Sequence, residues 1–174
     1  ATLKSDTNSV GLGNAYVGED LNISAQKLAY IEDAVVGGSM QMRGLDDAVE
    51  AHSLEVGKDL IINTNTGNII VENATVGEDS YISIDGDGGN IDINKIKTGK
   101  DFVGDLIITS QSEHVDKEGN PINHIKINDA VAADRLIINS YSNIDLKSAY
   151  ALGGNLEVLA AGDVVAELLK AAKE

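Results

Sequence analysis

The sequence predicts an all-β protein, a parallel β-solenoid wound in coils of about twenty residues, and three observations carry that expectation. First, one corner motif recurs: Val17-Gly18-Glu19-Asp20-Leu21, Val36-Gly37-Gly38-Ser39-Met40, Val56-Gly57-Lys58-Asp59-Leu60, Val76-Gly77-Glu78-Asp79-Ser80, Thr98-Gly99-Lys100-Asp101-Phe102, Ala132-Ala133-Asp134-Arg135-Leu136 and Leu152-Gly153-Gly154-Asn155-Leu156. The steps between successive copies are 19, 20, 20, 22, 34 and 20 residues. Second, each corner leads into alternation of period two, the signature of a strand with one buried face. Leu21 and Ile23, Met40 and Met42, Leu60 and Ile62, Leu136 and Ile138, and Leu156 and Val158 face inward. Third, no helical period separates these runs, and the apolar residues are almost all Ile, Val, Leu and Ala, with five Tyr, one Phe and no Trp. Such side chains suit a narrow interior. A repeat this short cannot bury its own apolar face, but stacking like strands about 4.8 Å apart makes a continuous core. A β-sandwich also has closely spaced strands, yet has no reason to repeat one corner at this period.

In chain order, residues 1–14 are rich in Ser, Thr, Asn and Gly and read as an irregular leader or first coil, with the solenoid proper over 15–162. After each first strand comes a second, seen in Ile69 and Val71, Ile91 and Ile93, Ile125 and Ile127, and Ile144 and Leu146; a weaker third run, such as Asn73-Ala74-Thr75-Val76, returns to the next corner. Glycine at the corner supplies either a positive φ or a close backbone approach, and stacked Asn residues offer hydrogen bonds from coil to coil. Around 99–106 the repeat stutters, because Asp101-Phe102 and Asp105-Leu106 both fit the strand start. From Ser110 to His124 a polar insertion with the only proline, Pro121, interrupts the coil and reads as a projecting loop. At the C-terminus Asp163 is placed to cap a helix over 164–173, where Val165, Leu168, Leu169 and Ala172 fall at helical spacing. Such a helix, within 163–174, would cover the open end of the coil stack.

A formal charge of −15 opposes binding to phosphate backbones and anionic membranes, and the same charge keeps a β-rich chain soluble. No apolar run reaches the length of a membrane span, and no signal segment opens the sequence, so an export signal has been removed, the chain is internal to a longer protein, or it is cytosolic. The absence of cysteine removes disulfides and thiolate chemistry.

Chemistry has few candidate residues. His52, His114 and His124 are scattered, without zinc-like spacing, and read as surface residues. The acidic, glycine-rich bend Asp85-Gly86-Asp87-Gly88-Gly89-Asn90-Ile91-Asp92 offers Asp85, Asp87, Asn90 and Asp92 as calcium ligands, though it matches neither an EF-hand nor the nonapeptide of calcium-binding β-rolls. The plainer reading is a turn between strands. Carboxylates recur at Asp20, Asp59, Asp79 and Asp101 in the same repeat position, which marks a structural corner, because an active site needs unlike residues converging once. No catalytic residues are assigned, and no cofactor beyond that calcium candidate. The insertion is the candidate partner-binding element, through Glu113, His114, Asp116, Lys117, Glu118 and His124.

The alternation of Gly-x-(Asp/Asn)-Leu-x-(Ile/Val) with Gly-(Asn/Asp)-(Ile/Val), in Val56 to Val71 and most plainly in Leu152 to Val164, resembles the filamentous haemagglutinin type of repeat. That resemblance, at the level of the repeat and over about Val17 to Val164, implies a right-handed parallel β-helix from a secreted bacterial adhesin or exoprotein. Bactofilins, cytoskeletal β-helices that polymerise end to end, are the nearest rival family. The expected function is a non-catalytic structural or adhesive element at a bacterial surface or in an extracellular matrix, with a host or neighbouring cell, a matrix protein or a glycan as partner. The alternatives are a filament subunit that pairs with copies of itself, cytoplasmic if bactofilin-like, and a glycan-processing β-helix enzyme.

Overall fold

Sixteen strands pair into two parallel sheets in the computed structural model, which describes residues 1–172 apart from Phe102 and His114. One sheet holds the short strands in chain order: β1 (Thr2–Ser5), β3 (Leu21–Ala25), β5 (Met40–Gly44), β7 (Leu60–Thr64), β9 (Ser80–Ile84), β11 (Leu106–Ser110), β13 (Leu136–Ser140) and β15 (Leu156–Ala160). The other holds the long strands: β2 (Val10–Val17), β4 (Ala29–Val36), β6 (Val49–Val56), β8 (Ile69–Val76), β10 (Ile91–Thr98), β12 (His124–Ala132), β14 (Asn143–Ala151) and β16 (Val164–Ala171). Each coil contributes one strand to each sheet, so the chain is a solenoid of eight coils. Corners replace the helical crossovers that parallel pairing usually requires.

The short strands keep the expected alternation: Leu60, Ile62 and Thr64 are buried, with Ile61 and Asn63 outward. Like residues stack in register, Leu21 on Met40, Met40 on Leu60, and Leu106 on Leu136. The long strand fuses the second run with the weaker third one. Along β8, Ile69 and Val71 point in, Glu72 and Asn73 are both exposed, and Ala74 and Val76 point in again. Two outward residues in succession shift the alternation by one, and the first of them, Glu72, is skipped in the pairing with both neighbouring strands, so the ladder breaks there and resumes at Asn73. The same slip recurs at Glu32-Asp33, Asn94-Lys95 and Asn128-Asp129.

That slip explains why the C-terminal segment was misassigned. Residues 164–171 form strand β16, paired with β14 from Ile144↔Val164 to Ala151↔Ala171, and no helix occurs among the described residues. By register the inward positions are Val164, Ala166, Leu169 and Ala171. Their spacing of two, three and two, with apolar Val165 and Leu168 on the outside, imitates helical periodicity. Hydrogen bonding to β14 overrides the helix propensity of Ala, Leu, Glu and Lys. Lys173 and Glu174, the end of the expected helix, lie outside the described residues. The capping role disappears with the helix: β16 is exposed along its whole length. Of the two readings of residues 1–14, the first coil is the one formed, since β1 and β2 pair with β3 and β4. The solenoid thus runs over 2–171 rather than 15–162.

The stutter also resolves. Leu106 pairs with Ser80, which makes Asp105-Leu106 the strand start, and an extra loop is closed by reciprocal Lys100–Val103 backbone hydrogen bonds of 3.0 Å. Its left-handed positions are Gly99 (φ +76°), Asp101 (φ 54°) and Gly104 (φ +129°).

Candidate functional site

The repeated corner residues hold coil to coil. At the first corner the aspartate carboxylate accepts a backbone N–H from the coil stacked on it: Ser39 donates to Asp20 at 2.8 Å, Asp79 to Asp59 at 3.2 Å, Asp105 to Asp79 at 2.9 Å and Arg135 to Asp105 at 3.1 Å. Charge-assisted bonds of this kind are among the stronger ones available to a corner. Arg135 adds its guanidinium to Asp105, with Nε 3.1 Å from Oδ2. This pair holds the Asp105 carboxyl below its ordinary range, chiefly through the side-chain hydrogen bond, while burial opposes the shift. At the second corner an asparagine does the same work: Asn90 donates its N–H to the Asn68 side chain at 2.8 Å, His124 to Asn90 at 3.0 Å and Asp163 to Asn143 at 2.9 Å.

Glycine at the first corner is required by close approach. A Cβ on Gly57 would lie 2.9 Å from the Gly37 carbonyl carbon and closer still to its oxygen, and Gly77 meets Gly57 in the same way. Neither has a positive φ. Gly18, with no coil stacked beneath its corner, has nothing within 4 Å.

The residues named as calcium candidates make the following contacts. Asp85 accepts the Asn63 side-chain amide at 3.0 Å, the Asn90 oxygen is used by His124, and Asp92 faces the His124 ring at 3.1 Å. Asp87 is exposed in the same turn and also has an interaction partner. Among the described residues no three His, Cys, Asp or Glu side chains come together as a metal site. The turn itself is built on backbone approach: Gly88 and Gly89 have φ of +105° and +83°, and a Cβ on Gly89 would strike the Gly67 carbonyl.

The long interruption divides into an anchored base and a projecting tip. In the base, Ser112 is fully buried and accepts the Gly88 N–H at 3.0 Å, and the Asn123 amide donates to the Gly89 carbonyl at 2.6 Å. The Asn143 amide donates to the Pro121 carbonyl at 3.1 Å, and the Ser142 hydroxyl donates to the Asn123 carbonyl. The tip spans Val115 to Pro121, joined by an antiparallel bridge, with Gly119 at φ +85°. Asp116 organises it by accepting the N–H groups of Glu118 and Asn120, each at 2.9 Å, and the Asn120 amide at 3.1 Å. These bonds, those of Asn120 first, lower the Asp116 pKa. Glu113, Lys117 and Glu118 are exposed. His124 is not in the loop; it opens β12. His114 lies outside the described residues. Among the remaining histidines, His52 stacks edge-on against Tyr30, with ring centroids 5.8 Å apart, and sits 3.5 Å from Glu72.

Sequence reasoning missed the buried hydroxyl pair Ser80 and Thr98, whose oxygens lie 2.8 Å apart within the core. Its visible signs were a serine where other coils carry Leu or Met and a threonine where four other corners carry Val. Comparison with protein-family models, curated proteins and solved structures finds no match for this chain.

Proposed function

We propose that this chain is a non-catalytic structural and adhesive solenoid, wound right-handed, that displays recognition elements at a bacterial cell surface or in an extracellular matrix. One observation carries the reading: the repeated carboxylates bind the next coil's backbone, while the longest interruption projects a self-organised tip from a base bonded into the coils. A rigid scaffold presenting an exposed loop is a common arrangement for binding. Corner aspartates engaged in this way also weaken the glycan-processing alternative, which needs convergent carboxylates. The right hand follows from the strong preference of parallel β-crossovers and agrees with the filamentous haemagglutinin-type resemblance. The partner is a host or neighbouring cell surface, a matrix protein or a glycan.

The test is replacement of residues 115–120 by two glycines, which removes the tip and leaves Ser112, Pro121 and Asn123 in place. Melting should be unchanged and binding to cells or matrix should fall. Unchanged binding by the folded variant disproves the assignment of the loop. A second reading, assembly into fibres, is favoured by the outer edges of β1, β2, β15 and β16, which have no strand partner among the described residues. Such edges accept further strands, whether from more coils of the same polypeptide or from another copy. Negative-stain images of the purified chain distinguish fibres from single rods.

A further inference from the structure

On the long-strand sheet, the outward column beside the glycine corner has the same order from either end. From β2 to β14 it runs Tyr16, Val35, Glu55, Thr75, Lys97, Val131 and Tyr150, each residue in register with the next. Thr75 is the centre. Reversing the order leaves the tyrosines and valines in place and exchanges Glu55 for its opposite charge, Lys97. Tyr16 is 79% exposed and Val35 42%; Glu55, Thr75 and Lys97 are exposed too. Neither Glu55 nor Lys97 has an ion partner among the described residues. A self-complementary row is what a two-fold interface between identical chains requires, because each contact there occurs twice with the roles exchanged.

Shape has the same symmetry. Val35, Glu55, Thr75 and Lys97 border a hollow whose floor includes Gly57 and Gly77, and Lys100 stands at one end of it. Lys100 also borders a second hollow, with Val131 and Leu152, so the extra loop rises between the two and carries Val103, 69% exposed. Half a turn of a second copy about an axis through Thr75, along the strands, lays β10 over β6, and the loop after β10 meets the glycine floor after β6 in both directions. In that register Glu19 and Asp134 meet Gly153 and Gly38 at the corner. Three like-charged meetings remain, each beside an opposite charge. Glu78 meets its own counterpart between Lys58 and Lys100 of the other copy, Lys58 meets Lys100 beside Asp101, and Asp33 meets Asp129 beside Lys95, which is in register with Asp129.

We propose that this column is the contact surface for a second copy of the chain, laid antiparallel and face to face about a two-fold axis at Thr75. Tyr16 then meets Tyr150, Val35 meets Val131 and Glu55 meets Lys97, each contact made twice. The strip spans six strand spacings, about 29 Å, and its narrowness gives a micromolar dissociation constant rather than a permanent dimer. Such an interface closes at two copies, whereas stacking through the open ends of the coils continues. It is separate from the tip at Val115 to Pro121 and does not depend on the adhesive reading.

Sedimentation velocity at about 150 mM salt, to screen repulsion between chains of net charge −15, should show a species of twice the 18.2 kDa chain mass. That species should grow in as protein concentration rises to about 100 μM. Glu55→Lys should weaken it by about tenfold or more, since Lys then meets Lys at both contacts, and Lys97→Glu should do the same. Mixing these two variants should restore the dimer to near its wild-type strength, because both charged contacts of the mixed pair again join opposite charges. Glu50→Lys, on β6 beyond the bend, should change nothing. Three results overturn the proposal: a wild-type chain that stays monomeric over this range, a dimer or larger assembly that Glu55→Lys leaves intact, or a mixture no stronger than its components. Circular dichroism checks that each variant folds. Should either charge variant fail to fold, Val35→Asp, expected to weaken the dimer by about tenfold by setting a carboxylate against Val131, decides it by the same criterion.

Discussion

Alanine at Gly57 and alanine at Gly18 occupy the same place in the repeat, and the stacking of coils assigns them opposite consequences. At Gly57 the new methyl would sit 2.9 Å from the carbonyl carbon of Gly37 and nearer its oxygen, so the two coils must part by about 1 Å to restore ordinary contact. Separation weakens the bonds that join them there, Gly57 N–H to Val36 at 2.8 Å and Lys58 N–H to Gly38 at 3.1 Å. At about 1 kcal/mol for each bond, with overpacking of about 1–3 kcal/mol partly relieved by that movement, the loss comes to roughly 2–4 kcal/mol. At Gly18 a methyl meets nothing within 4 Å and φ is not positive. Alanine there stabilises by about 0.4–1 kcal/mol through the unfolded chain. Urea unfolding of the two variants beside the wild type measures the difference in midpoint at unchanged slope. Equal shifts in the two variants, or a neutral Gly57→Ala, would refute close approach as the reason for glycine. Two corners dispense with this glycine: Ala133 stands there above the coil that carries the extra loop between Lys100 and Val103, and Leu152 stands there where the corner is one residue longer.

Three further outcomes follow from individual contacts. Ser80→Ala strands the buried Thr98 hydroxyl and should cost about 1–3 kcal/mol, most of it recovered when Thr98→Val is added, because two unlike losses become one apolar contact; equal costs for the single and double variants in urea would contradict the pairing. For Asp105 the folded carboxyl titrates below its unfolded value, so its stabilisation is full above about pH 4 and disappears as pH falls through the folded pKa. Asp105→Asn should therefore be less stable than wild type at pH 7, by about 1 kcal/mol or less for a partly exposed pair, and the gap should narrow as pH falls below about 4; a gap independent of pH would count against the Arg135 pair. Asp116→Ala removes the acceptor for the Glu118 and Asn120 amides, so both should exchange with solvent faster, while global stability changes by no more than about 0.5 kcal/mol.

The candidate recognition loop was legible as an interruption, because a polar run with Pro121 breaks an otherwise regular period. Its division into base and tip was not. Ser112 and Asn123 look like ordinary loop residues until Gly88 and Gly89, from the preceding coil, are placed beside them. His124 belongs to a strand for the same reason: its neighbours in space are Asn90 and Asp92. Which of the two starts at 99–106 opens a strand was not legible either, and the pairing of Leu106 with Ser80 decides it.

Local pattern by itself determined that this chain is a stack of similar coils, because a period of two with a recurrent corner satisfies only a solenoid, and it determined which side chains of the short strands face inward. Tertiary structure decided what each repeated residue is for. Whether the corner glycine serves a positive φ or a close approach depends on the carbonyl of the coil beneath, and whether the corner aspartate is free or bonded depends on the next coil's N–H. The same holds for Val164 to Ala171, which carries the spacing of a helix and lies as a strand. A strand edge offered by β14 satisfies its backbone across the coil, and hydrogen bonds between coils are a quantity that no single repeat contains.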